Sequence, residues 1–95
     1  KYDGGSFKEL YPIVKAESWL KSNQNWYYQQ QGHLVQNDWV YDKGEWYYVS
    51  SSGAMIANDW VKDNGKWYYL ASSGKMLRNT YTPDGYYVGN SGAWQ

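Results

Sequence analysis

Trp60-Val61-Lys62-Asp63-Asn64-Gly65-Lys66-Trp67-Tyr68-Tyr69-Leu70 is the stretch on which the fold turns. Asn64-Gly65 is the strongest short-range signal for a two-residue type I′ turn, because both central residues need positive φ, so the stretch predicts a β-hairpin. Centring the turn there pairs Asp63 with Lys66, Lys62 with Trp67, Val61 with Tyr68 and Trp60 with Tyr69. Side chains alternate between the two faces of a strand. One face of the hairpin therefore carries Trp60, Trp67 and Tyr69, and the other carries Val61, Tyr68 and Leu70.

The pattern recurs on both sides. Asn37-Asp38-Trp39-Val40 returns as Asn58-Asp59-Trp60-Val61, and Trp-Tyr-Tyr follows at Trp26, Trp46 and Trp67 with a period of 20 to 21 residues. Lys43-Gly44 and Asn23-Gln24 hold the turn position in the other two copies. The second copy sorts as the third does, with Trp39, Trp46 and Tyr48 opposite Val40, Tyr47 and Val49. Each Tyr pair leads into a polar stretch ending in Gly32, Gly53 or Gly74, and an apolar Leu34, Met55 or Met76 follows two places on. The Gly supplies the turn to the next unit, and the apolar residue is placed to seal the join. Gly92 continues the series with Trp94 at the Met position.

Full units are read at 17–37, 38–58 and 59–79, with degenerate ends at 1–16 and 80–95. In the last unit Tyr81 replaces the first Trp, Gly85 the second, and Tyr86-Tyr87 is the Tyr pair. At the front Phe7 stands in for a Trp, and Pro12 suggests an irregular link. Atypical ends are expected where a unit has a neighbour on one side only. A lone hairpin is marginal in water, so the units must bury surface against one another. The expected class is all-β, a solenoid of stacked β-hairpins.

Seven Trp, twelve Tyr and one Phe outnumber the thirteen Ile, Leu and Val side chains, the reverse of an ordinary core. Nine Lys and Arg balance nine Asp and Glu, with no basic stripe, which argues against a nucleic-acid partner. Cys is absent, removing disulfides, thiolate metal sites and Cys nucleophiles. No apolar run approaches the ~18 residues of a membrane span, and no charged-then-apolar signal segment opens the sequence. At this length a deep catalytic pocket is not expected.

The repeat resembles the choline-binding, or cell-wall-binding, repeats of pneumococcal and related Gram-positive surface proteins and autolysins. Spacing, turn and Gly-x-Met all recur in register over residues 17–79, and the usual Gly before the first Trp is replaced by Ser18, Asp38 and Asp59. The resemblance implies cages for the trimethylammonium group of choline, each built from two Trp of one hairpin and a Tyr of the next. Carried over, the first cage uses Trp19, Trp26 and Tyr47 with Met55 close by. The second uses Trp39, Trp46 and Tyr68 with Met76. A third combines Trp60 and Trp67 with Tyr86, beside Gly85 in place of a Trp and Trp94 in place of a Met. Phe7 with Tyr27 lacks a first Trp and is read as structural.

The chemistry fits the residue types, because a quaternary ammonium has no N–H to donate while aromatic faces attract it at ~0.5–2 kcal/mol each. The resemblance also implies choline or phosphocholine as ligand, no cofactor, and choline residues of teichoic and lipoteichoic acid as the extracellular, wall-borne partner. It implies no catalysis within this chain, any enzymatic activity belonging to another part of the parent protein.

Other residues carry less. Tyr28, Tyr48, Tyr69 and Tyr87 are expected to pack between hairpins. His33 is a solvated loop residue with no second metal ligand in phase with it. Asp42, Glu45, Asp63 and Asp84 lie in or beside turns, where local Asx hydrogen bonding accounts for them and no acid/base pair is formed. Two rival readings stay open: a glucan-binding repeat array, and a structural spacer or adhesion stalk. Pairing of an exposed solenoid end with a second copy of the chain is also open.

Overall fold

The computed structural model describes residues 17–95. Three hairpins follow one another at the repeat spacing: β1 (Ser18–Ser22) with β2 (Asn25–Gln30), β4 (Asp38–Asp42) with β5 (Glu45–Val49), and β6 (Asp59–Asp63) with β7 (Lys66–Leu70). The short β3 (His33–Leu34) extends the first hairpin to three strands, and β8 (Thr80–Tyr81) pairs with β9 (Tyr87–Val88) in the terminal unit. No helix occurs among the described residues.

Turn chemistry sets the register. Asn64 and Gly65 lie at φ 52° and 79°, Lys43 and Gly44 at 49° and 84°, and Asn23 and Gln24 at 51° and 70°. Trp60 then faces Tyr69, Val61 faces Tyr68, Lys62 faces Trp67 and Asp63 faces Lys66, the pairing expected from the sequence.

The units join face to face. Tyr28 with the half-buried Trp19, from the Trp face of the first hairpin, meets Val40, Tyr47 and Val49 from the opposite face of the second, with Val35 and Met55 closing the cluster. One repeat on, Trp39 and Tyr48 meet Val61, Tyr68 and Leu70, with Ile56 and Met76. Val49, Leu70 and Val88 are wholly buried. Each such side chain contributes roughly 1.5–3 kcal/mol by leaving water, which is what a pair of isolated strands lacks.

Backbone bonds stitch the same joints. The N–H of Met55 donates to the Trp26 carbonyl (2.7 Å), Met76 to Trp46 (2.8 Å) and Trp94 to Trp67 (2.8 Å), while Ile56 and Leu77 bond back to Tyr48 and Tyr69 of their own hairpins. The Gly-x-Met segment is thus wedged between two units. Gly74, at φ +91°, is buried, and a Cβ there would overlap the thioether of Met55. The repeat Gly is therefore required both by its conformation and by the Met beneath it.

The terminal unit keeps this scheme with altered residues. Thr82, 4% exposed, takes the place of Val40 and Val61, and Val88 that of Val49 and Leu70. Its hydroxyl is satisfied: Oγ1 donates to Asp84 and accepts from the Tyr86 N–H.

The join that Leu34 would seal, in the phase of Met55 and Met76, is with the unit at residues 1–16, outside the described residues together with Phe7 and Pro12; Val35, in the phase of Ile56, joins the first core cluster. One expectation needs correction. Tyr28 and Tyr69 are buried and Tyr48 is half-buried, but Tyr87 is 39% exposed, with no further hairpin over its face among the described residues.

Candidate functional site

Three aromatic clusters sit at successive joints, each open to solvent. In the first, Trp19, Trp26, Tyr47 and Met55 line a cavity of about 460 Å³, joined by Asp42, Lys43 and Ser73. In the second, Trp39, Trp46, Tyr68 and Met76, with Ser91 at the rim, enclose about 180 Å³. Trp60, Trp67, Tyr86 and Trp94 form the third, of about 240 Å³. All the residues singled out from the sequence are thus brought together in their expected sets.

Hairpin alternation explains the geometry. The two Trp of a unit lie on one face, and the first Tyr of the next unit reaches them from the opposite face. Trp39 stands nearly perpendicular to Trp46 (6.2 Å between centroids, 88°) and to Tyr68 (5.1 Å, 82°). Trp19 meets Tyr47 at 5.0 Å and 68°, and Trp60 meets Tyr86 at 6.0 Å and 77°. Crossed rings present faces to a common space where stacked rings would fill it. The second Tyr of each pair supports the first Trp edge to face: Trp19–Tyr28 at 4.9 Å, Trp39–Tyr48 at 5.1 Å and Trp60–Tyr69 at 5.2 Å.

The second Trp of each unit is 38–40% exposed and has a cross-strand neighbour of its own. Lys21 Nζ lies 5.5 Å from the Trp26 ring centroid and Lys62 Nζ 5.7 Å from that of Trp67, whereas Tyr41 packs on Trp46 at 4.7 Å.

Trp94, at the Met position where the sequence puts it, packs edge-on against Tyr86 at 5.7 Å and gives the third cavity a lining of four aromatic rings. Sequence reasoning missed one feature: the turn aspartates do more than shape turns. Trp19 Nε1–H donates to Asp42 Oδ2 (3.3 Å), Trp39 Nε1–H to Asp63 Oδ2 (3.1 Å) and Trp60 Nε1–H to Asp84 Oδ2 (2.9 Å). The available signal was phase: Asp42, Asp63 and Asp84 each lie three residues after Trp39, Trp60 or its counterpart Tyr81.

Hydrogen bonds from the Thr82 hydroxyl and the Trp60 indole hold the Asp84 carboxyl below its ordinary value. Burial, reinforced by nearby carboxylates, pushes the Tyr28, Tyr47 and Tyr48 hydroxyls up, so these rings stay neutral well into the alkaline range. Among the described residues no group of three or more His, Cys, Asp or Glu could hold a metal ion, and no helix is long and apolar enough to cross a membrane.

The sequence matches the model of the choline-binding repeat over residues 33–68 and 54–94, and that of a putative cell wall binding repeat over 17–28. The chain belongs to the choline-binding repeat family. Among solved structures it is similar to the choline binding domain of Spr1274 in Streptococcus pneumoniae, with 38% identity, a TM-score of 0.74, and coverage of 84% of this chain and 95% of that one. Choline binding protein F from Streptococcus pneumoniae, solved in the presence of a peptidoglycan analogue, is 39% identical with a TM-score of 0.72, covering 84% of this chain and 26% of that one. A pneumococcal cell wall endolysin from phage Cp-1, complexed with choline, is 34% identical with a TM-score of 0.75, covering 84% and 25%. The choline-binding repeats here thus span nearly the whole of the isolated domain but about a quarter of the two longer proteins. A search of curated protein sequences gives no match.

Proposed function

We propose that this chain is a non-catalytic module that holds choline in the three aromatic cages and so attaches its parent protein to phosphocholine-bearing teichoic and lipoteichoic acids on the outside of a Gram-positive cell wall. The observation that carries the reading is the recurrence, at three successive joints, of two Trp and a Tyr crossing around an open cavity. Aromatic faces hold a cation that offers no hydrogen-bond donor. Three walls supply ~2–6 kcal/mol before ordering costs, so each cage binds at roughly millimolar strength. Weak sites suit a polymeric ligand, since linked cages raise avidity by ~10²–10⁴ without new contacts. Family membership and the choline complex of the phage endolysin support choline as the ligand.

Choline at millimolar concentration should change Trp fluorescence and sharpen the near-UV circular dichroism, and soluble dextran should not. A response to dextran with none to choline would favour a glucan-binding array and sink this reading.

A further inference from the structure

Each cage receives two things from the hairpin that follows it. One is the Tyr wall (Tyr47, Tyr68 or Tyr86), and the other is a carboxylate (Asp42, Asp63 or Asp84) that accepts the Nε1–H of the first Trp at 3.3, 3.1 and 2.9 Å. The indole N–H is the side chain's sole hydrogen-bonding group, and the first Trp is half-buried in all three units. A neutral acceptor would satisfy it. The recurrent choice of an anion is informative, because a carboxylate satisfies the N–H as a neutral oxygen would and in addition leaves a negative charge beside the ring. Asp42 itself lines the first cavity. An anion hydrogen-bonded at the ring edge also makes the indole face more attractive to a cation, since cation–π attraction is electrostatic.

Resting on the cage reading above, we propose that Asp42, Asp63 and Asp84 are positioning residues of the cages, fixing the first Trp of the preceding hairpin and biasing each cage toward a cationic occupant. A cage assembled this way is complete only when the following hairpin is docked, because the Trp rotamer and the charge that favours the ligand both depend on it. The inference separates two effects that a lost contact would merge: orientation, which any acceptor supplies, and charge preference, which only the carboxylate supplies.

The test compares choline with its uncharged carbon isostere, 3,3-dimethylbutan-1-ol, in the wild-type chain and in Asp42→Asn and Asp42→Ala, reading the Trp19 indole ¹H–¹⁵N resonance. Asp42→Asn keeps an acceptor oxygen. It should shift the Trp19 resonance less than Asp42→Ala does and leave the isostere affinity unchanged while weakening choline at the first cage by about threefold, as expected for one charge several ångströms away in a near-aqueous dielectric. Asp42→Ala should shift the Trp19 resonance and weaken both ligands. Where Asp42→Asn fails to fold, Asp63→Asn read at Trp39 carries the same test. Equal weakening of both ligands in the Asn variant, or of neither, overturns the proposal. The wild-type titration separates the two failures: no response to choline overturns the cage reading and this inference with it, whereas a normal wild-type response with unaltered Asn variants overturns the inference alone.

Discussion

Replacing Trp94 by Met converts the third cage to the composition of the other two. The backbone N–H of residue 94 keeps its bond to the Trp67 carbonyl, since that contact does not involve the side chain. A Met thioether can rest against Tyr86, where Trp94 now packs at 5.7 Å, so most of the apolar cover is retained. What disappears is one of four aromatic walls, worth ~0.5–2 kcal/mol for a bound quaternary ammonium, or a ~2- to 30-fold weaker affinity. The loss should be confined to the third cage. Choline titration followed through the indole resonances of Trp60 and Trp67 should show it, with Trp19 and Trp39 reporting unchanged binding at the first two cages. Unchanged or tighter choline binding at Trp60 and Trp67 would refute the view of Trp94 as a wall and return it to the role of a cap on the last hairpin.

Gly74→Ala should destabilise the fold by at least ~1–2 kcal/mol, because φ +91° is costly for any residue with a Cβ and the new methyl overlaps Met55. Thermal unfolding measures the stability loss, and choline affinity at the first cage should fall with it as Met55 is displaced. The Asp84 carboxyl titrates below the ordinary carboxylate value because Thr82 and Trp60 hydrogen-bond its charged form. A depressed folded-state pKa means that this contribution is present above about pH 3.9 and is lost as pH falls through the folded value. The Trp60 Nε1–H resonance should therefore hold its position through pH ~4 and move only on further acidification; a midpoint at or above pH ~4 would contradict the assignment.

Much of this was legible in the sequence because the repeat is phased. Asn64-Gly65 fixes one hairpin's register, alternation sorts its faces, and a constant period carries both to the neighbours, which puts two Trp on one face and the first Tyr on the other; their grouping into cages came from the family resemblance. Features that depend on how two units meet were hidden. The Asp63 carboxylate reaches Trp39 across 24 residues, a contact no turn rule describes, since the same residue satisfies an Asx turn equally well in isolation. Thr82 looks polar and exposed by type, yet it is buried in a Val position because Asp84 and the Tyr86 N–H occupy its hydroxyl.

The stitching of one unit to the next has a mechanical consequence. Neighbouring hairpins share a thin apolar layer and a backbone bond such as Met76 to Trp46, and a stacked array couples each unit only to its neighbours. A wall anchor pulled by one end would then yield hairpin by hairpin, each step dismantling the cage at that joint while the more distant cages keep their grip. Tension would be dissipated in instalments, and rebinding would need only the last joint to close again.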